Sequence, residues 1–169
     1  EKQVKIIGDI AGSEIIGKSA IAPNNGNEIP ILPAEFVEPG MGTGLVMSVP
    51  AHAPKDYQAL MDLKAKNHEL ASKIEPIPII VTPGYDEYPA KQICEKLGVS
   101  NQTDEKLEEA TKELYLKEFT DGKLNEKCAQ FNNEKVQFGR DKVREWLQEN
   151  NHLEKFPVLE NAPVHCRCG

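Results

Sequence analysis

The sequence predicts an α+β fold in which a small mixed or barrel-like β-sheet is flanked by helices, and three observations carry that prediction. Residues 4–50 fall into short extended runs separated by Gly, Pro and Asn. The periodicity turns helical at Pro54, and further helical stretches occupy much of 88–150. A chain of 169 residues is long enough to enclose one hydrophobic core.

The extended runs are VKIIGDI (4–10), GKSAIAP (17–23), EIPILPAEFV (28–37) and GLVMSVP (44–50). Asn24-Asn25-Gly26 tolerates positive φ, so the two runs around it are expected to fold back as a hairpin. Pro54 suits the first helical turn, where its missing N–H leaves nothing unpaired, and Tyr57, Leu60, Met61 and Lys64 continue a helix to about Asn67. PIPIIVTPG (76–84) reads as a strand, and a helix from Pro89 to Leu97 is stopped by Gly98. Residues 104–119 place Leu107, Ala110, Leu114 and Leu116 on one broad apolar side. In 134–150, Val136, Val143, Trp146 and Leu147 point inward, and 157–169 returns in extended form. The organisation expected is a β-rich half (1–85), a mainly helical insertion (86–156) and a return strand (157–169), with no internal repeat.

Composition narrows the function. Hydrophobic residues make up 39% and charged residues 28%, and no apolar run nears the roughly 18–20 residues of a membrane helix, so no membrane partner is expected. The net charge of -7 argues against gripping long phosphate backbone but leaves room for a short nucleic-acid end in a pocket. Cys94, Cys128, Cys166 and Cys168 are too scattered for a disulfide scaffold, which points to reduced thiols and a cytoplasmic setting. Cys166-x-Cys168 is at most half of a zinc knuckle, so no metal site is expected; His68, His152 and His165 lack ligand spacing. The opening at Glu1 and the close at Gly169 read as the ends of a piece cut from something larger.

The chemistry concentrates in Gly42–Asp56, GTGLVMSVPAHAPKD. Gly42 and Gly44 allow a close-approaching ligand or a tight turn, with the Thr43 hydroxyl between them. In an extended run Leu45, Met47 and Val49 share one face, opposite Val46 and Ser48; that face lines either plain core or a ligand pocket. Asp56 in a first helical turn stays ionised beside the macrodipole. It either stabilises the helix start or holds a cation such as an α-ammonium group. His52, in the connecting loop, serves as donor, as acid or base, or as a partial cap. No serine or cysteine stands out with a matching histidine and acid, so any hydrolysis uses a bound water.

GTGLVMSVPAHAPKDYQAL resembles the second signature of the editing domain inserted into leucyl-tRNA synthetases, one of the class I Val/Ile/Leu synthetase editing domains. LEEATKELYLKEF and PVHCRCG resemble its archaeal or eukaryotic branch, and the likeness spans nearly the whole chain as a C-terminal portion of that domain. The resemblance implies hydrolysis of the ester joining a wrong amino acid to the 3' end of tRNA(Leu). By position it implies that Asp56 anchors the α-ammonium group, that Met47 and Val49 shape the side-chain pocket, and that Ser48 lies in the same binding segment. It sets His52 next to the substrate and Gly42, Thr43 and Gly44 beside the adenosine. It implies no cofactor in this domain, ATP and Mg belonging to the synthetase body. The family's T-x-R-P-E-T segment is missing from these residues, so half a site is expected, completed by the rest of the synthetase or by a complementary subunit. The alternative is a non-catalytic interaction module needing that segment. Arg140, Lys142 and Arg144 read as a solvated basic face, with tRNA contact a weaker option.

Overall fold

The computed structural model describes residues 7–37 and 43–154. In chain order the elements are α1 (Gly12–Ile15), β1 (Ser19–Ile21), β2 (Glu28–Pro30), α2 (Pro54–Ala65), α3 (Glu69–Ser72), β3 (Ile80–Val81), α4 (Pro89–Leu97), α5 (Lys106–Asp121), β4 (Lys123–Leu124), a 3-10 segment (Glu126–Phe131) and α6 (Val136–Glu149).

The mixed α+β character is as expected, but among the described residues no barrel closes. The sheet consists of two separate antiparallel pairs, β1 with β2 and β3 with β4. The predicted hairpin forms with Ser19 opposite Pro30 and Ile21 opposite Glu28. Its turn uses Gly26 at φ 72, and the Asn27 N–H donates to Asn25 Oδ1 at 3.0 Å. The other extended runs behave differently. Residues 7–10 and 44–49 carry no ladder, and of 76–84 only Ile80 and Val81 pair, with Leu124 and Lys123. A strand is defined by its partner, and an alternating sequence without a neighbouring edge remains an irregular extended segment. Residues 4–6 and 157–169, with Cys166 and Cys168, lie outside the described residues.

The core sits among the helices. Ala90 and Ile93 of α4 meet Ala110 and Leu114 of α5, all four fully buried, and Tyr57, Tyr85 and Leu97 pack around them. Pro54 and Pro89 each open a helix, and Gly98 ends α4 in the left-handed region at φ 63. On α5 the buried stripe is Leu107, Ala110, Leu114 and Glu118, at spacings of three and four. Leu116, assigned from the sequence to the apolar side, is 67% exposed, because it lies two residues, or about 200°, around the helix from Leu114. Helix α6 half-buries Val136, Val143, Trp146 and Leu147, with Trp146 edge-on to Phe131 at 6.4 Å.

Candidate functional site

The stretch that drew attention in the sequence folds as a turn feeding a helix. The Val49 carbonyl accepts from the N–H groups of His52 and Ala53, both at 2.9 Å, which closes a turn over Pro50 and Ala51. The Ala51 carbonyl accepts from the Ala90 N–H at 3.0 Å and ties that turn to the start of α4. Pro54 then begins α2 and places Asp56 in its first turn, as the sequence predicts.

Asp56 is buried, and its Oδ2 accepts the Val49 N–H at 2.7 Å. Burial pushes its carboxyl above the ordinary range, opposed by the Val49 N–H, the Ser48 hydroxyl and the Lys55 ammonium. Desolvation outweighs these three opposing influences. The carboxylate sits at the foot of the apolar 45–49 segment, held by that segment's own backbone, and does not extend into bulk solvent.

The segment itself is open. Thr43 and Gly44 form a turn, with Gly44 at φ 70 and the Thr43 hydroxyl accepting the Leu45 N–H at 3.3 Å. Leu45, Val46, Met47 and Val49 are all exposed, so neither face of the alternating run is covered. Ser48 is exposed as a residue, and Gly42 lies outside the described residues. A concavity of about 370 Å³ lies elsewhere, against β3 and the 3-10 segment, between Thr82, Tyr85 and Asn125. No residue of 43–56 lines it.

His52 takes a place its sequence context did not indicate. Only 4% exposed, it has Nδ1 at 2.7 Å from Glu118 Oε1 on α5. Its Nε2 accepts the N–H groups of Ile79 at 2.9 Å and Ile80 at 3.2 Å. Both ring nitrogens are engaged, and the ring presents no free nitrogen to a ligand in this arrangement. Thr82 Oγ1 donates to the same Glu118 oxygen at 3.3 Å. Glu118 and Thr82 were not singled out in the sequence, yet a signal was present: Glu118 continues the Leu107, Ala110, Leu114 stripe, and a charge on an apolar stripe implies a buried partner. Tyr115 lies close enough to Asp56 and Glu118 for their charges to add to the effect of burial, all raising its phenol.

The remaining polar features read as structural. His68 caps α3 by accepting the Ala71 N–H at 3.4 Å, and His152 lies against the Trp146 ring. Arg140 and Arg144 contact Asp141 on the solvated face of α6, and Lys142 pairs with Glu134. Cys94 and Cys128 are buried free thiols; burial raises Cys94 to about 11 and keeps it protonated. Among the described residues no group of His, Cys, Asp or Glu is arranged to hold a metal ion.

Comparison with known proteins points to one family. Residues 11–77 match the family model described as leucyl-tRNA synthetase, editing domain. Over 169 residues the chain is 44% identical to the leucine–tRNA ligase of Methanococcus aeolicus, covering all of this chain and 17% of that protein. It is 45% identical over 170 residues to the leucine–tRNA ligase of Methanocaldococcus jannaschii, covering 18% of it. The chain matches leucyl-tRNA synthetase editing domains in sequence and in fold. Among solved structures it matches GlLeuRS-CP1 with a TM-score of 0.78 and 28% identity over 90% of this chain and 62% of that one. The P. knowlesi cytosolic leucyl-tRNA synthetase editing domain shares the fold, with a TM-score of 0.72 at 22% identity over 85% of this chain and 50% of that one. The chain thus spans about a sixth of the curated relatives it matches and about half to three-fifths of the solved domains.

Proposed function

We propose that this chain supplies one wall of a hydrolytic editing site that removes wrongly attached amino acids from the 3' end of tRNA(Leu). A hydrophobic pocket separates amino acids that differ by one methylene by only about 1–3 kcal/mol, so a synthetase selecting an aliphatic side chain needs a second, hydrolytic sieve. The observation that carries this reading is the Asp56 carboxylate, fixed 2.7 Å from the Val49 N–H at the base of an uncovered apolar segment. A partly desolvated carboxylate there grasps the α-ammonium group of a mischarged residue. Met47 and Val49 then face its side chain, Ser48 steadies the carboxylate, and the backbone of Gly42, Thr43 and Gly44 lies beside the terminal adenosine. A bound water performs the attack. Uncovered Leu45, Val46 and Met47 receive the remainder of the editing domain, which the solved relatives contain and this chain does not span. ATP and Mg serve the synthetase body.

The test uses the full synthetase containing this segment. Asp56→Ala is expected to slow release of the wrong amino acid from misacylated tRNA(Leu) by about 10²-fold or more, since losing the anchor misplaces the ester. An unchanged rate overturns the role of Asp56. A second reading, a non-catalytic interaction module, is favoured by the same uncovered segment: the isolated 169-residue chain is then inactive and regains nothing when the rest of the domain is restored. Release by the extended domain decides for editing.

A further inference from the structure

We infer that Glu118 is a positioning residue for the editing site, acting from helix α5 through His52 on the turn that carries Asp56. This rests on the editing reading and adds to it a residue outside the GTG stretch, in the segment read from the sequence as a helical insertion.

An imidazole nitrogen that accepts from backbone N–H groups carries no proton, and Nε2 faces two of them, Ile79 and Ile80, at 2.9 and 3.2 Å. The ring proton therefore sits on Nδ1 and points at Glu118 Oε1, 2.7 Å away. Glu118 is 4% exposed, so its acceptor is a fixed internal feature rather than a swinging surface group, and the Thr82 hydroxyl steadies the same oxygen at 3.3 Å. The two backbone donors keep the proton on Nδ1, so without the Glu118 acceptor the buried Nδ1–H is left unpaired and the ring loses the contact that holds its tilt.

The consequence reaches the site in two short steps. The backbone N–H of His52 and that of Ala53 both close on the Val49 carbonyl at 2.9 Å, and the Val49 N–H closes on Asp56 Oδ2 at 2.7 Å. Val49 is thus clamped through both its backbone polar groups, one to the His52 turn and the other to Asp56. If the His52 ring tilts, the turn moves, and the Asp56 carboxylate moves with Val49. A displacement of about 1 Å at such a point is enough to lower turnover by roughly 10²-fold.

The experiment compares Glu118→Leu, Glu118→Gln and Glu118→Asp in the full synthetase. It measures kcat and KM for deacylation of misacylated tRNA(Leu), leucylation of tRNA(Leu) as an independent activity, and thermal midpoints. Gln keeps an oxygen at the same reach, whereas Asp keeps the charge but withdraws it by one methylene. The expected order is Gln within about threefold of the parent, with Asp and Leu lower by about 10- to 100-fold, mainly in kcat, and leucylation unchanged. Adding Glu118→Leu to His52→Leu should lower the rate no further, because Glu118 acts through that ring. If Glu118→Leu leaves deacylation intact while Asp56→Ala abolishes it, the positioning role is wrong and the editing reading survives. The role also falls if deacylation follows the thermal midpoints instead of acceptor reach, an outcome that Gln and Asp decide even should the Leu variant not fold. If the parent enzyme shows no deacylation, the editing reading itself fails.

Discussion

The α4–α5 pair and the 44–49 segment are both rich in apolar residues, yet their fates differ. Ile93 and Leu114 are fully buried, whereas Val46 and Met47 are more than 60% exposed. What separates them is the distance to a partner. The helices find each other across a loop of eight residues, 98–105, within this chain. An extended run needs a neighbouring edge, and here the 44–49 segment has none among the described residues. Burial is therefore a property of the assembled fold, and a hydrophobic sequence only licenses it.

Truncation at matched positions breaks or sharpens that contrast. Ile93→Ala is expected to destabilise the chain by about 2–5 kcal/mol in denaturant unfolding, the usual range for emptying a filled aliphatic site. Met47→Ala in the same chain should stay within about 0.5 kcal/mol. In the extended domain the Met47 penalty should rise; if it stays small there, nothing covers that residue and the contrast is false.

A smaller effect is expected at the junction of α5 and β4. A Cβ on Gly122 would meet the Glu118 carbonyl oxygen at 2.4 Å and Ile80 Cγ2 at 2.8 Å. Gly122→Ala should therefore lower stability by about 1–3 kcal/mol, and a thermal melt unchanged within error would show that α5 ends more loosely than described.

The boundary between the two regions is Asp56, where a modest stability change is expected and the charge matters most. Asp56→Ala leaves the Val49 N–H unpaired and should destabilise by about 1–2 kcal/mol. Asp56→Asn keeps an acceptor while removing a desolvated charge, so it should be neutral or slightly stabilising at pH 7. Because burial raises the folded-state pKa, the native state binds the proton more tightly than the unfolded chain. The unfavourable contribution is present above the raised value and is relieved as pH falls through it toward the ordinary value. The Asn advantage should shrink over that window in pH-dependent melts, and an advantage that grows on acidification would reverse the assignment.

Local signals were legible in the sequence. Pro54, Pro89 and Gly98 act within one helical turn, and Asn24-Asn25-Gly26 acts within one hairpin, so each needs only its neighbours to take effect. The 44–49 run alternates as a strand would yet has no partner among the described residues, because pairing is non-local. The β3–β4 pair was half visible, since 76–84 was expected to be extended while Lys123 and Leu124 carry too short a pattern to recognise. At the site, Asp56 was legible through its helical position. The role of His52 was not, because its partner lies 66 residues away and only the geometry reveals which nitrogen faces what.

Tyr57 of α2 and Tyr85 lean on the same cluster as Ile93 and Leu114. A recombination junction or an intein placed between residues 85 and 86 would sever a shared interior instead of releasing two autonomous modules. Exchanging the GTG stretch between related chains therefore has to carry along the helices behind it.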